Sequence, residues 1–359
     1  MIFIIWSSLA MTNIAILGFG TVGGGVYEVI SKCSKKPLCD VNIKYILDLR
    51  TFPDHPIGDR VTTDFDKILN DESVSVVVET MGGDGVAYKF SLAALQAGKN
   101  VVTSNKAVVD KYGKELEQAA KENGVVYLYE ASVGGGIPII APLNNCFMGD
   151  DIVRVAGILN GTTNYILTHM QSDGKSLEEA LKIAQELGYA EADPHADIAG
   201  LDSARKIAIL AGIAFDKYIS YNDIPYIEGI ENVTSEDIAL AEQLGCVIRL
   251  IAVAEKVGDK ASILVAPHLV GNSSLFHAIR EAFNAVSVTG SAVGEVVFYG
   301  QGAGSLPTAA AVCGDIERAI SGKAKTEPRK VSESGFVIDG TENGRFITLS
   351  NGKKYRYFE

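Results

Sequence analysis

A short apolar run, Ile14-Ala15-Ile16-Leu17, leads straight into Gly18-Phe19-Gly20-Thr21-Val22-Gly23, and nothing else in the chain restricts the fold as much. Val22, Val26, Val29 and Ile30 then resume at helical spacing. Four apolar residues, a glycine-rich turn and a helical stripe predict strand, tight turn and helix. In that context Gly18 permits the turn, Gly20 lets backbone approach a pyrophosphate, and Gly23 lets helix and strand pack closely. The helix N-terminus, with its unpaired N–H groups, faces the phosphate charge. Asn42–Leu47 reads as the next strand and ends at Asp48, an acceptor for a ribose 2′-hydroxyl, which suits NAD. Arg50, two residues on, suits the 2′-phosphate of NADP. The residue pattern leaves NADP or NAD open.

The following segments repeat the theme. Val74–Val78 is a β-branched run ending in Glu79-Thr80-Met81-Gly82-Gly83, and Tyr88–Ala97 is helical. Asn100–Thr103 is a strand followed by Ser104-Asn105-Lys106, and Val125–Tyr129 is another. Strands alternating with helices predict a parallel sheet: an α/β chain whose first domain is of the Rossmann dinucleotide-binding type. Phe19, Thr21, Val22, Thr80 and Gly302 complete the candidate cofactor set with the glycines, Asp48 and Arg50. Lys106 joins it because α/β sheets place ligands at the carboxyl ends of their strands.

After Glu130 the pattern changes. A glycine-rich turn, Ala131–Gly136, precedes a strand at Ile152–Leu159. Ser176-Leu177-Glu178-Glu179 is a capping box, and Val247–Val253 and Ala261–Val270 read as strands. This predicts an α+β second domain. We place the first domain at 12–140 with 300–320, the second at 141–299, and a polar, turn-rich tail at 321–359.

The second domain carries the acid–lysine pattern. Leu201–Ile213 is apolar nearly all round, yet holds Asp202 and Lys206 four residues apart on one face. Charges on a mostly buried helix need each other, further partners or a cavity. Partial desolvation there could lower a lysine pKa towards values useful in proton transfer. Glu191, Asp193 and Asp197 precede this helix and could hold a substrate ammonium; His195, in the same loop, reads as solvated.

With a formal net charge of −12 and no basic block, the chain lacks the phosphate-neutralising patch that nucleic-acid binding needs. The five cysteines are scattered, with no CxxC pair, and read as buried structural thiols of a reducing compartment. Residues 1–10 look like a short h-region without a basic start, and Met11 is a plausible true start. No apolar segment reaches the length that spans a bilayer, so we expect a soluble cytoplasmic protein without nucleic-acid or membrane partners.

The motifs GFGTVGGG, TSNKA, EASVGGGIP, GILNGTTNYIL (157–167), LGYAEADPHADIAGLDSARK and GQGAGSLPTA stand in order. Over residues 12–316 the chain closely resembles the homoserine dehydrogenase family. That resemblance implies interconversion of L-homoserine and L-aspartate 4-semialdehyde with NAD(P), on the route to threonine and methionine. It implies Lys206 as proton donor, Lys106 as a second essential lysine, Glu191 as binder of the substrate amino group, and Asp197 and Asp202 as supporting acids. It implies a monovalent cation, sodium or potassium, on Glu130, Val133, Gly135 and Ile137. It also implies a homodimer formed partly through the second domain. The family's frequent C-terminal ACT domain is not expected here, and His195-Ala196 replaces a loop pair that is often Arg-Asp. A lysine base would make homoserine oxidation rise with pH. Two other readings stand beside this one: another Rossmann semialdehyde oxidoreductase working through a cysteine thiohemiacetal, and a non-catalytic dinucleotide sensor with structural lysines.

Overall fold

The computed structural model describes residues 11–341 and 344–359; the reading of residues 1–10 lies outside them. In chain order the first elements are β1 (Thr12–Leu17), α1 (Thr21–Lys32), β2 (Val41–Leu47), β3 (Val61–Thr62), α2 (Phe65–Leu69), β4 (Val74–Glu79), α3 (Gly85–Gln96), β5 (Asn100–Thr103), α4 (Lys106–Glu122) and β6 (Tyr127–Leu128). Then come α5 (Ile140–Asn145), β7 (Ile152–Ile158), α6 (Gly161–Ser172), α7 (Leu177–Glu186), α8 (His195–Ile198) and α9 (Leu201–Ala214). They are followed by β8 (Lys217–Tyr218), β9 (Tyr226–Ile227), α10 (Ser235–Gln243), β10 (Cys246–Val257), β11 (Lys260–Gly271), β12 (Phe283–Gly290) and β13 (Gly294–Gln301). The chain closes with α11 (Ser305–Ile320), β14 (Lys330–Val331), β15 (Val337–Ile338), β16 (Phe346–Thr348) and β17 (Lys354–Phe358).

Two compact units result. One runs up to Ala131 and takes back Gly304–Pro328; the other holds Ser132–Ala303 and Arg329–Glu359. The tail expected as a separate, turn-rich segment is therefore divided between them. Its later part supplies β15, β16 and β17 to the second unit's sheet, where β17 pairs with the buried β11 through His268↔Arg356 and Val270↔Phe358. The buried residues of β17, Tyr355 and Phe358, are three apart and so lie on opposite faces of the strand, and no alternating apolar face marks the segment within the polar composition around it.

The first unit is a parallel six-stranded sheet in the order β3-β2-β1-β4-β5-β6. β1 and β4 are buried over most of their length because helices cover both faces, which is why they read as continuous Ile/Val runs. The chain reverses its progress across the sheet at β1 and β4, so their carboxyl ends open a crevice that takes ligands. α11, returning from late in the sequence, packs so closely on α1 that a Cβ at Gly25 would lie 2.8 Å from Ser305 and 3.0 Å from the Ala309 Cβ.

The second unit is a nine-stranded mixed sheet, with β13-β12-β7-β10-β11-β17-β16 along its main path. Its backbone is the long β10–β11 hairpin, paired without a slip from Val257↔Lys260 to Cys246↔Gly271. α9 is buried along most of its length and packs on the sheet, so any charge it carries is held by partners.

Among the described residues no helix is long and apolar enough to cross a membrane. The cysteines depart from expectation: Cys246 and Cys313 are buried, Cys33 and Cys39 are half-buried, and Cys146 is exposed at the end of α5. Short helix ends and loops leave side chains uncovered that composition alone assigns to a core.

Candidate functional site

In the first unit the loop after β1 is built by close approach. Gly18 has φ 90°, and a Cβ at Gly23 would stand 2.1 Å from the Gly18 carbonyl oxygen, so only glycine fits there. At Gly20 no protein atom lies within 4 Å of a Cβ position. The protein's own packing gives no reason for glycine at that place, whereas a pyrophosphate drawn against the backbone does. α1 starts without a side-chain cap and without an acidic residue in its first turn, so its N–H groups and dipole suit an anion. The Thr80 hydroxyl donates to the Gly18 carbonyl at 2.8 Å and bifurcates towards Leu17, and the Thr80 N–H donates to Leu17 at 2.9 Å. Thr80 thus braces the turn. A dinucleotide fits this cradle on those grounds.

Asp48 and Arg50, assigned opposite preferences above, hold each other. Asp48 Oδ1 accepts from Arg50 Nε at 2.9 Å and Oδ2 accepts from Arg50 Nη2 at 2.8 Å, while the Phe19 N–H donates to Oδ2 at 2.8 Å. Hydrogen bonds from Arg50 hold the Asp48 carboxyl far below the usual carboxylate range. Arg50 also donates to the Phe19 carbonyl at 2.9 Å, and its side chain is 60 % exposed, which leaves it able to turn towards a phosphate. Beside the pair is a cavity of about 620 Å³ lined by Phe52, Pro53, Thr62 and Thr63 among others.

Lys106 is the first residue of α4, and its placement rests on groups that motif reading passed over. Glu79 is fully buried at the end of β4; it accepts from the Met81 N–H at 2.7 Å and from the Thr103 hydroxyl at 2.6 Å. Burial pushes its carboxyl up. Thr103 in turn accepts from the Asn105 N–H at 2.9 Å, and Asn105 caps α4 and donates to the Gly83 carbonyl at 2.6 Å. The two loops at the strand ends are therefore tied through one buried carboxylate.

In the second unit the acid–lysine pattern is a compact knot. Lys206 Nζ, buried, donates to Asp202 Oδ2 at 2.7 Å and to the Leu159 carbonyl at 2.7 Å. Asn160, missed by sequence reasoning, closes it. Its Nδ2 donates to Asp202 at 2.9 Å and to Asp197 at 2.7 Å, while its Oδ1 accepts from the Thr163 N–H as the cap of α6. Burial, and after it the charge of Asp202, raise the Asp197 carboxyl above its ordinary range. The available signal was the motif Leu159-Asn160-Gly161-Thr162-Thr163, a cap sequence before an apolar helix. Glu191 stays outside the knot: it is exposed, and among the described residues its carboxylate has no hydrogen-bond or ion-pair partner. His195 opens α8 and is exposed.

The residues named for a cation are divided. Glu130 belongs to the first unit, where its N–H donates to Asp315 at 2.8 Å and its carboxylate lies 3.6 Å from Arg318. Asp315 is fully buried, which pushes its carboxyl up to about 6 despite Arg318. Val133, Gly135 and Ile137 belong to the second unit, and their carbonyls accept no hydrogen bond from the described residues. Buried carbonyls without donors, at Val133 and Ile137, suit a hard cation. Gly135, at φ 54°, packs on Gly302, whose own missing Cβ would meet the Asn284 side chain at 2.1 Å. Among the described residues no cluster of three or more His, Cys, Asp or Glu side chains is arranged to hold a metal.

A parallel sheet that reverses at β1 and β4, a glycine cradle at a bare helix N-terminus, and a second unit with a buried lysine define a two-unit NAD-binding oxidoreductase. The family model described as "Homoserine dehydrogenase, NAD binding domain" matches residues 18–130, and that described as "Homoserine dehydrogenase" matches residues 138–316. The homoserine dehydrogenase of Bacillus subtilis is 43 % identical over 311 residues, covering 85 % of this chain and 72 % of the relative. That of Synechocystis is 44 % identical over 314 residues at the same coverage. A solved homoserine dehydrogenase of Thiobacillus denitrificans superposes with a TM-score of 0.85 at 35 % identity, over 91 % of this chain and 79 % of that one. A solved hyperthermophilic archaeal homoserine dehydrogenase in complex with NADPH superposes with a TM-score of 0.75 at 27 % identity, over 88 % and 99 %. The chain belongs to the homoserine dehydrogenase family.

Proposed function

We propose that the protein interconverts L-homoserine and L-aspartate 4-semialdehyde, with Lys206 as the proton-transfer residue. The observation that carries this reading is the buried Lys206 Nζ, held between Asp202 and the Leu159 carbonyl in an otherwise apolar helix. Bound at the Gly18–Gly23 loop, the nicotinamide cofactor supplies the hydride acceptor or donor. In the oxidising direction Lys206 takes the proton of the C4 hydroxyl; in the reducing direction it returns that proton to the aldehyde oxygen as charge develops there. Asp202 and Asn160 orient Lys206. Glu191, with its uncommitted carboxylate, binds the substrate ammonium, and Asp197 supports it. Lys106 is read as the second essential amine.

Both NADP and NAD are read as usable: Arg50 turns to a 2′-phosphate, or Asp48 accepts from a free 2′-hydroxyl. A sodium or potassium ion on Glu130 and the carbonyls of Val133, Gly135 and Ile137 is supported by the donor-less carbonyls described above. A homodimer through the second unit is supported by the half-buried Phe283 and Val297 and the exposed Tyr299 on β12 and β13. The absence of a cysteine pair in the sequence supports a reducing cytoplasm.

The thiohemiacetal alternative has less support. Burial raises the thiols of Cys39, Cys246 and Cys313, away from the thiolate that such chemistry needs. The test is one assay: L-homoserine with NADP or NAD, followed by near-ultraviolet absorbance of the reduced cofactor, before and after thiol alkylation. Turnover that survives alkylation is the expected result. No turnover with either cofactor overturns the reading.

A further inference from the structure

The second unit contains a cavity that the reaction does not use. It has a volume of about 490 Å³, within the range of small-molecule sites, and Phe147, Phe215 and Phe336 contribute apolar wall. Its polar lining is four lysines and four aspartates, so the charges balance. Part of that lining is already spent. Lys330 pairs with Asp216 at 2.8 Å, and Asp150 accepts from the Ser291 hydroxyl at 2.7 Å and from the N–H groups of Ala292 and Val293. Lys217, Lys256 and Lys260 have no carboxylate within ion-pair distance among the described residues, and Asp151 and Asp259 have no ion-pair partner. Lys217 lies over the Phe336 ring at 5.5 Å.

Uncommitted charges of both signs around apolar walls define a complementary ligand. A polyanion would meet Asp151 and Asp259, and an apolar body would use none of the five charges. We propose that this cavity binds a free α-amino acid with an apolar side chain: carboxylate on the lysines, ammonium on the aspartates, side chain among the phenylalanines. The last turn of α9, at Ile213 and Ala214, is part of the lining and offers the negative end of a helix to the ammonium.

The location has a consequence. α9 carries Lys206 near its middle, seven residues and about 10 Å from Ile213. β7 starts in the cavity wall at Ile152 and ends beside Leu159, whose carbonyl accepts from Lys206. Both elements that pin Lys206 therefore terminate at this cavity, and a bound amino acid ties their far ends together.

Calorimetric titration of the full chain with L-leucine and L-phenylalanine tests the proposal, with N-acetyl-leucine and leucinamide as probes lacking one charge. The expected result is one saturable site per chain for leucine or phenylalanine, weakened at least tenfold in both blocked analogues and in the Lys256→Ala/Lys260→Ala variant. Both lysines are exposed, so the variant folds. Hydrogen exchange should slow in the last turn of α9 and in 329–336 on binding. Absence of heat with both amino acids, equal binding of a blocked analogue, or undiminished binding in the variant overturns it. None of these readouts depends on the reaction assigned to Lys206.

Discussion

The glycine loop after β1 and the knot around Lys206 solve opposite problems. The loop is made by leaving side chains out: Gly18 and Gly23 sit where a Cβ meets backbone, and the binding groups are main-chain N–H donors. The knot is made by putting charges in: Lys206, Asp202, Asp197 and Asn160 satisfy one another in a helix region that excludes water. A backbone site tolerates almost any side chain that does not point inwards. A side-chain site fails when one member goes, because its neighbours are left buried and unpaired.

The largest effect should follow from removing the amine at the centre of the knot. Lys206→Met keeps the volume and leaves Asp202 without its counter-charge. We expect turnover to fall about 10³-fold in both directions, the scale of a lost proton-transfer group, with KM for homoserine changed far less. Breaking a buried pair should also cost about 3–5 kcal/mol, read as a lowered melting temperature. Turnover within a few-fold of wild type in both directions would mean that the knot is structural only.

Two glycines sharpen the other side. At Gly23 an added methyl meets the Gly18 carbonyl oxygen at 2.1 Å, so Gly23→Ala should destabilise the first unit by about 1–3 kcal/mol and remove dinucleotide binding together. At Gly20 nothing protein-derived is within 4 Å, so Gly20→Ala should melt like wild type yet bind NADP and NAD about tenfold more weakly. Paired thermal melts and cofactor titrations decide this. Equal destabilisation by both changes would make the loop a packing feature.

This contrast also explains what could be read before the structure. The parallel sheet, the loop and the exit at Asp48 were legible because backbone-driven motifs write themselves as local strings: an Ile/Val run, spaced glycines, a strand ending in an acid. Asp202 and Lys206 were legible because helical periodicity places them on one face. Asn160 was not, since its partners Asp197 and Asp202 are 37 and 42 residues away. Glu79 escaped for a related reason: it looked like the last residue of a strand, and its role as an acceptor appears only when β5 brings the Thr103 hydroxyl beside it. The tail strands were lost in a polar segment that shows no alternating apolar face, since the buried Tyr355 and Phe358 of β17 are three residues apart.

The smallest expected effect separates charge from shape within the knot. Burial and the Asp202 charge hold the Asp197 carboxyl above its ordinary value. A carboxyl raised in the folded state contributes stability fully below its unfolded value near 3.9 and loses it as pH rises through the folded value. Asp197→Asn keeps an oxygen to accept from Asn160 but cannot ionise. Its melting temperature relative to wild type should therefore climb between about pH 4 and pH 7, whatever its offset at the acid end. A difference that is flat or falls over that interval would show that Asp197 is held as a comfortable carboxylate. The knot would then be an ordinary ion-pair network, and the contrast with the glycine loop would reduce to one of composition.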